Sequence, residues 1–194
     1  MMTVLPPLAP RKGNRFTRWL GASLLKLLGW TVEGELPNEP KLILAGAPHT
    51  SNWDFVFSML VVLTLGLKAS YLMKKEAFFW PFAGLFKWLG GVPVARGRNG
   101  GMVESLAGWF TEQEACWLMI TPDGTRRKVK SYKTGFLRVA ELAQVPVMLV
   151  SWDYASKRVV LEKVWATTGD HEADCQAIRQ YLTSRYEGRQ PEWQ

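Results

Sequence analysis

A handover between residues 41 and 67 constrains this chain more than any other feature. Lys41–Gly46 (KLILAG) is too short for a stable helix and reads as a strand apolar on both faces. Asn52–Leu67 is almost continuously apolar and reads as a helix. Between them Pro48 closes the strand, and Ser51 or Asn52 can cap the helix that follows. A strand buried on both sides needs helices above and below it, so the segment commits the chain to a layered α/β architecture.

The remaining periodicities agree. Arg15–Trp30 is helical, with Phe16, Trp19, Leu20, Leu24, Leu27 and Leu28 on one face and Arg15, Arg18 and Lys26 on another. Residues 1–14 are Pro-rich and basic and read as a loose tail, and Gly34 with Pro37–Pro40 as a loop. Strands are expected at Ser70–Met73, Gly90–Ala95, Cys116–Ile120, Val145–Trp152 and Arg158–Trp165. Helices are expected at Gly101–Gln113, Thr134–Ala143 and Asp170–Tyr186, with the aromatic stretch Glu76–Leu89 helical in pieces around Pro81. The 194 residues suffice for one sizeable core. The expectation is an N-terminal segment, 1–32, carrying an amphipathic helix, followed by a single α/β domain over 33–194. Its central sheet should be mostly parallel or mixed, with helices on both faces.

Charge narrows the function classes. The net charge is +7, and residues 1–32 hold Arg11, Lys12, Arg15, Arg18 and Lys26 without one acid. So local an excess points to an anionic surface or ligand, and no nucleic-acid module accompanies it. A basic, Trp- and Leu-rich helix suits peripheral contact with an anionic membrane, though an ordinary core helix would show the same period; the aromatic run Phe78–Trp88 suits either lining an acyl-chain groove or dipping into lipid. No signal peptide and no apolar run of about 18 residues is evident, so the expected place is the cytoplasm, peripheral on the cytoplasmic face of the membrane. The two cysteines, Cys116 and Cys175, suggest no disulfide framework.

Chemistry concentrates in two places. His49 is one of only two histidines, and Asp54 follows five positions later. Within one helix such residues would point about 140° apart, so they can meet only if His49 lies in the loop and Asp54 in the first helical turn. Asp54 would then orient His49 as a general base. Ser51-x-x-Asp54 is equally a capping box, and both readings of Asp54 stay open. The second place is Thr121–Arg126 (TPDGTR), a Gly turn ending in cations, whose backbone N–H groups and guanidinium suit an oxyanion. Asp170-His171-Glu172-x-Asp174 reads as acids favoured at a helix start, so no metal site is expected.

Taken together, these strings resemble the glycerolipid acyltransferases, the family that includes 1-acyl-glycerol-3-phosphate acyltransferase. HTSNWD (49–54) matches its H-x-x-x-x-D motif, and Gly91–Arg96 (GVPVAR) its second block. TPDGTR (121–126) looks like the third block, F-P-E-G-T-R, and Val145-Pro146-Val147 like the fourth; Lys133-Thr134-Gly135 matches a Lys-x-Gly step after the third. The blocks stand in the family's order across about half the chain. Asp123 replaces the usual Glu, Thr121 the usual Phe, and Ala95 the acid that commonly precedes the arginine.

The resemblance implies acyl transfer from a thioester, acyl-CoA or acyl-carrier protein, to a hydroxyl of a lysophospholipid or related lipid. No covalent enzyme intermediate forms, and no cofactor is needed beyond that co-substrate. His49 would deprotonate the acceptor and Asp54 would orient it. Arg96, Asp123, Gly124, Thr125 and Arg126 would bind substrate. Two other functions share these residues: a hydrolase of the same thioesters, and a non-catalytic basic membrane-binding protein.

Overall fold

A computed structural model describes residues 3–74, 76, 78–94 and 101–194. In chain order the elements are α1 (Arg15–Leu27), β1 (Thr31–Gly34), β2 (Lys41–Gly46), α2 (Asn52–Leu65), β3 (Ala69–Lys74), α3 (Ala83–Trp88), β4 (Gly91–Val94), α4 (Met102–Glu112), β5 (Cys116–Ile120), α5 (Gly135–Ala143), β6 (Val147–Asp153), β7 (Arg158–Trp165) and α6 (His171–Thr183). The strands make one sheet in the order β1-β7-β6-β2-β5-β3-β4. Every described pairing is parallel except the β6–β7 hairpin.

β2 lies in the middle of this sheet, between β6 and β5, and its alternating side chains feed two cores. Leu42 and Leu44 pack with Leu25 of α1 and Phe57, Leu60 and Val61 of α2. Ile43 and Ala45 pack with Phe110 of α4, Phe136 and Leu137 of α5, and Ile178 and Leu182 of α6. The sheet therefore has helices on both faces, as the apolar strand required. Burying Ile43 or Leu42 completely stabilises the fold by about 1.5–3 kcal/mol each.

The N-terminal segment is more tightly attached than its composition suggests. Leu5 and Ala9 are buried in the α1–α2 core. The Lys12 amide donates to the Gly66 carbonyl at 2.9 Å, and the Lys68 amide to the Pro10 carbonyl at 2.8 Å. Proline lacks an N–H but keeps its carbonyl, so a Pro-rich strip can dock through acceptors and apolar rings. Asn14 caps α1 with a reciprocal bond to Thr17. Gly21 then lets α1 cross α2 closely: a Cβ there would lie 2.8 Å from the Thr64 amide nitrogen. The opposite side of α1 leaves Phe16, Trp19, Leu27 and Leu28 exposed.

Two other expectations shift. Thr31–Gly34 forms an edge strand although it lacks apolar alternation; pairing with β7, from Thr31↔Arg158 to Gly34↔Leu161, specifies it. Gly34, at φ 100°, passes so close to the Leu161 carbonyl that no side chain would fit. The aromatic run is helical only over Ala83–Trp88, and Phe79, Trp80, Phe82, Leu85 and Trp88 are exposed.

Candidate active site

The site forms where β2 delivers the chain to α2, at the carboxyl end of the central strand, where open α/β sheets leave a crevice. Ala47 and Pro48, joined by a cis peptide bond, carry the chain out of the sheet. Ser51 caps α2 by accepting the Trp53 amide. His49 thus sits in the loop and Asp54 in the first turn, the one arrangement in which a five-residue spacing closes. His49 Nδ1 lies 3.0 Å from Asp54 Oδ2.

Asp54 is fully buried, and its carboxylate is surrounded by donors. Oδ2 also accepts the Thr50 and Ser51 amides, each at 2.9 Å. Oδ1 accepts the hydroxyl of Tyr154, at the turn of the β6–β7 hairpin. The Asp54 side chain is therefore helix cap and histidine partner at once. A buried carboxyl group this well bonded is fixed in direction, and it fixes the imidazole. With Asp54 on Nδ1, Nε2 is the nitrogen left to exchange a proton. The His49 side chain keeps 16% of its surface exposed, enough for a reactant to reach it.

β5 brings the second motif alongside. The His49 amide donates to Asp123 Oδ2 at 2.7 Å, which ties the third block to the first. Asp123 is buried, and its Oδ1 has no partner. Burial pushes its pKa up to about 6, and the His49 amide and the charge of His49 offset this only in part. The aspartate found where the family pattern has glutamate is thus a buried joint under His49. Gly124 turns at φ 60° and lies under the Lys133 side chain: a Cβ on it would meet Nζ at 2.9 Å. Thr125 and Arg126 are exposed on the same turn, and the Lys133 amide is tied back to the Pro122 carbonyl at 2.9 Å.

His49 therefore contacts both Asp54 and Asp123, and Gly124, Thr125 and Arg126 continue directly from Asp123. Arg96, the remaining expected site residue, lies outside the described residues, as does Ala95. Three contributors were not anticipated. Tyr154 bonds Asp54, and its hydroxyl is pushed further from ionisation by burial and by the adjoining carboxylate. Ser58 donates to the Asp54 carbonyl at 2.8 Å and accepts the Trp152 indole N–H at 3.1 Å. Thr50 Oγ1 accepts the Gln190 amide at 3.3 Å, bringing the C-terminal segment to the loop. The only sequence signal for Tyr154 was a polar Asp153-Tyr154 step ending a buried strand, which takes on meaning once β6 is known to lie beside β2.

Among the described residues, the cysteines and serines offer no second catalytic nucleophile at this site. Cys116 and Cys175 are buried, and burial pushes both thiols up to about 11, far from reactive thiolate. Ser51 and Ser58 are engaged as cap and backbone brace. Among the described residues no cluster of three His, Cys, Asp or Glu could hold a metal ion.

A loop histidine held by a buried carboxyl group, beside a cationic glycine turn at the carboxyl end of a parallel sheet, is an arrangement able to support base-assisted group transfer. The family model described as Acyltransferase matches residues 30–152, which run from β1 into β6 and include His49, Asp54 and Thr121–Arg126, while Tyr154 lies just beyond them. The chain belongs to the acyltransferase family and is an acyltransferase. Its fold resembles the crystal structure of the 1-acyl-sn-glycerophosphate (LPA) acyltransferase PlsC of Thermotoga maritima, with a TM-score of 0.62 at 18% sequence identity, covering 87% of this chain and 76% of that one. No curated protein matches the sequence as a relative.

Proposed function

We propose that the protein transfers a fatty acyl group from an acyl thioester, acyl-CoA or acyl-carrier protein, to a hydroxyl of a lysophospholipid or related lipid. The observation that carries this reading is the His49–Asp54 pair at 3.0 Å, with the carboxylate fully buried and saturated with donors. His49 Nε2 takes the acceptor's hydroxyl proton as the oxygen adds to the thioester carbonyl. The tetrahedral intermediate then expels the thiolate, which recovers the proton from the imidazolium, so the enzyme ends unchanged. Asp54 holds the ring and steadies its positive charge, and Tyr154 and Asp123 position Asp54 and His49. Thr125, Arg126 and the Gly124 turn, with Arg96, hold an anionic group of the acceptor.

The reading includes peripheral attachment to an anionic membrane, on the cytoplasmic face, through the exposed Phe16, Trp19, Leu27 and Leu28 of α1 and the aromatic run around α3. No helix among the described residues is long and apolar enough to cross a membrane. The direct test is thiol release from an acyl-CoA with and without a lysophospholipid, with the products identified by mass. Release that depends on the acceptor and yields the diacylated lipid is expected. Release at the same rate without acceptor, yielding free fatty acid, would make the protein a thioester hydrolase instead.

A further inference from the structure

At the opposite end of α2 from His49, a cavity of about 280 Å³ opens between the start of α1, the end of α3 and the first residues of β3 and β4. Lys12, Lys68 and Lys87 line it together with Trp88 and Trp109, and no acidic side chain does. Among the described residues none of the three lysines forms an ion pair. Lys12 is bound to the Trp88 carbonyl at the end of α3, and its ammonium lies 4.9 Å from the centre of the Trp88 ring. Burial, and then the nearby charge of Lys68, lower its pKa. Three like charges gathered at one concavity repel each other, and with no carboxylate lining it the neutralising charge has to come from outside.

The cavity's surroundings identify what that charge belongs to. On one side α1 exposes Phe16 and Trp19, and on the other α3 exposes Phe82, Leu85 and Trp88. A small cationic recess between two exposed aromatic stretches reproduces the order of a membrane interface, with anionic phosphate beside a layer of aromatic and apolar side chains. We propose that the Lys12–Lys68–Lys87 cavity binds the phosphate headgroup of an anionic phospholipid, separately from the acyl-transfer site. This rests on the peripheral-attachment reading above. It goes beyond it by assigning a discrete phosphate site rather than a diffuse basic face. A recess of about 280 Å³ has room for a phosphate headgroup, while the acyl chains of such a lipid would lie outside against Trp88 and Leu85.

Binding of the full-length protein to phosphatidylcholine vesicles with and without phosphatidylglycerol provides the test, with glycerol 3-phosphate titrated separately as a soluble probe. The Lys68→Gln/Lys87→Gln variant is compared with Arg15→Gln/Lys26→Gln, which removes the same charge from α1 outside the cavity. Loss of roughly tenfold or more in affinity for the anionic vesicles in the cavity variant, against about threefold or less in the α1 variant, is expected. If the wild type ignores vesicles but binds glycerol 3-phosphate, and the cavity variant does not, the phosphate site stands while membrane attachment fails. Equal losses in the two variants, an unaffected cavity variant, or no binding of either probe would overturn the proposal.

Discussion

Asp54 is a fully buried side chain whose carboxyl oxygens meet the His49 ring, the Thr50 and Ser51 amides and the Tyr154 hydroxyl. Tyr154 supplies the one donor that comes from a distant part of the chain. In Tyr154→Phe, Oδ1 loses that partner without any change in shape, at a cost of about 1–3 kcal/mol in stability. The carboxylate is also freer to turn away from His49. A fall in kcat of about tenfold with little change in KM is expected, and steady-state kinetics beside thermal unfolding would show it. An unaltered kcat would remove Tyr154 from the machinery. Asp123 presents the opposite case, a buried carboxylate with one oxygen unpartnered and its pKa raised from 3.8 to about 6. Because the folded state prefers the acid form, the ionised group opposes folding increasingly as pH rises from about 4 to about 6, and fully above that. Asp123→Asn is therefore expected to be more stable than the parent at pH 7, by on the order of 2–3 kcal/mol, with the gain vanishing below about pH 4. Denaturant unfolding at the two pH values measures it. A gain equal at both would mean that the charge is not its source. A residue that costs stability where it stands is consistent with selection for activity at that position.

At the scale of elements, β2 and α2 were legible in the sequence because their physics is local. An apolar run, a proline, a serine cap and an apolar helix follow one another, and each constrains the next. The His49–Asp54 contact was legible for the same reason, since only one local arrangement closes it. Tyr154 and the Asp123–His49 bond were not, because both depend on β6 and β5 lying either side of β2, and strand order is set by long-range packing. Nor was β1, whose exposed TVEG sequence carries no pattern until β7 offers it an edge. The docking of residues 3–12 was hidden by composition, because prolines that suggest disorder here bring carbonyls and Leu5 onto the end of α2. The α1–α2 crossing at Gly21 gives a test at this scale. Valine at Gly21 would drive its side chain into Thr64 and the Leu60 carbonyl, with an expected loss of about 2–3 kcal/mol and a melting temperature lower by roughly 4–10 °C. An unchanged melting temperature would mean that α1 does not pack there.

Across the whole molecule, the proposed chemistry and the proposed attachment are separated along α2. His49 and Asp54 lie at its start, whereas the lysine cavity and the docked N-terminal segment lie at its end. Since α1 buries Leu25 in the common core, deleting it would damage the fold, and point changes on its outer face are the cleaner probe of attachment. Trp19→Ser with Leu27→Ser should leave stability within about 0.5 kcal/mol and weaken vesicle binding roughly tenfold or more; binding as tight as the parent's would place the membrane contact elsewhere. We assign His49 the role of base in an acyl transfer. Its most direct test is turnover of an acyl-CoA with a lysophospholipid by His49→Ala, in protein shown by thermal unfolding to be folded. Product formation should fall by at least about a hundredfold while the variant remains folded. Turnover at the parent rate would contradict the account.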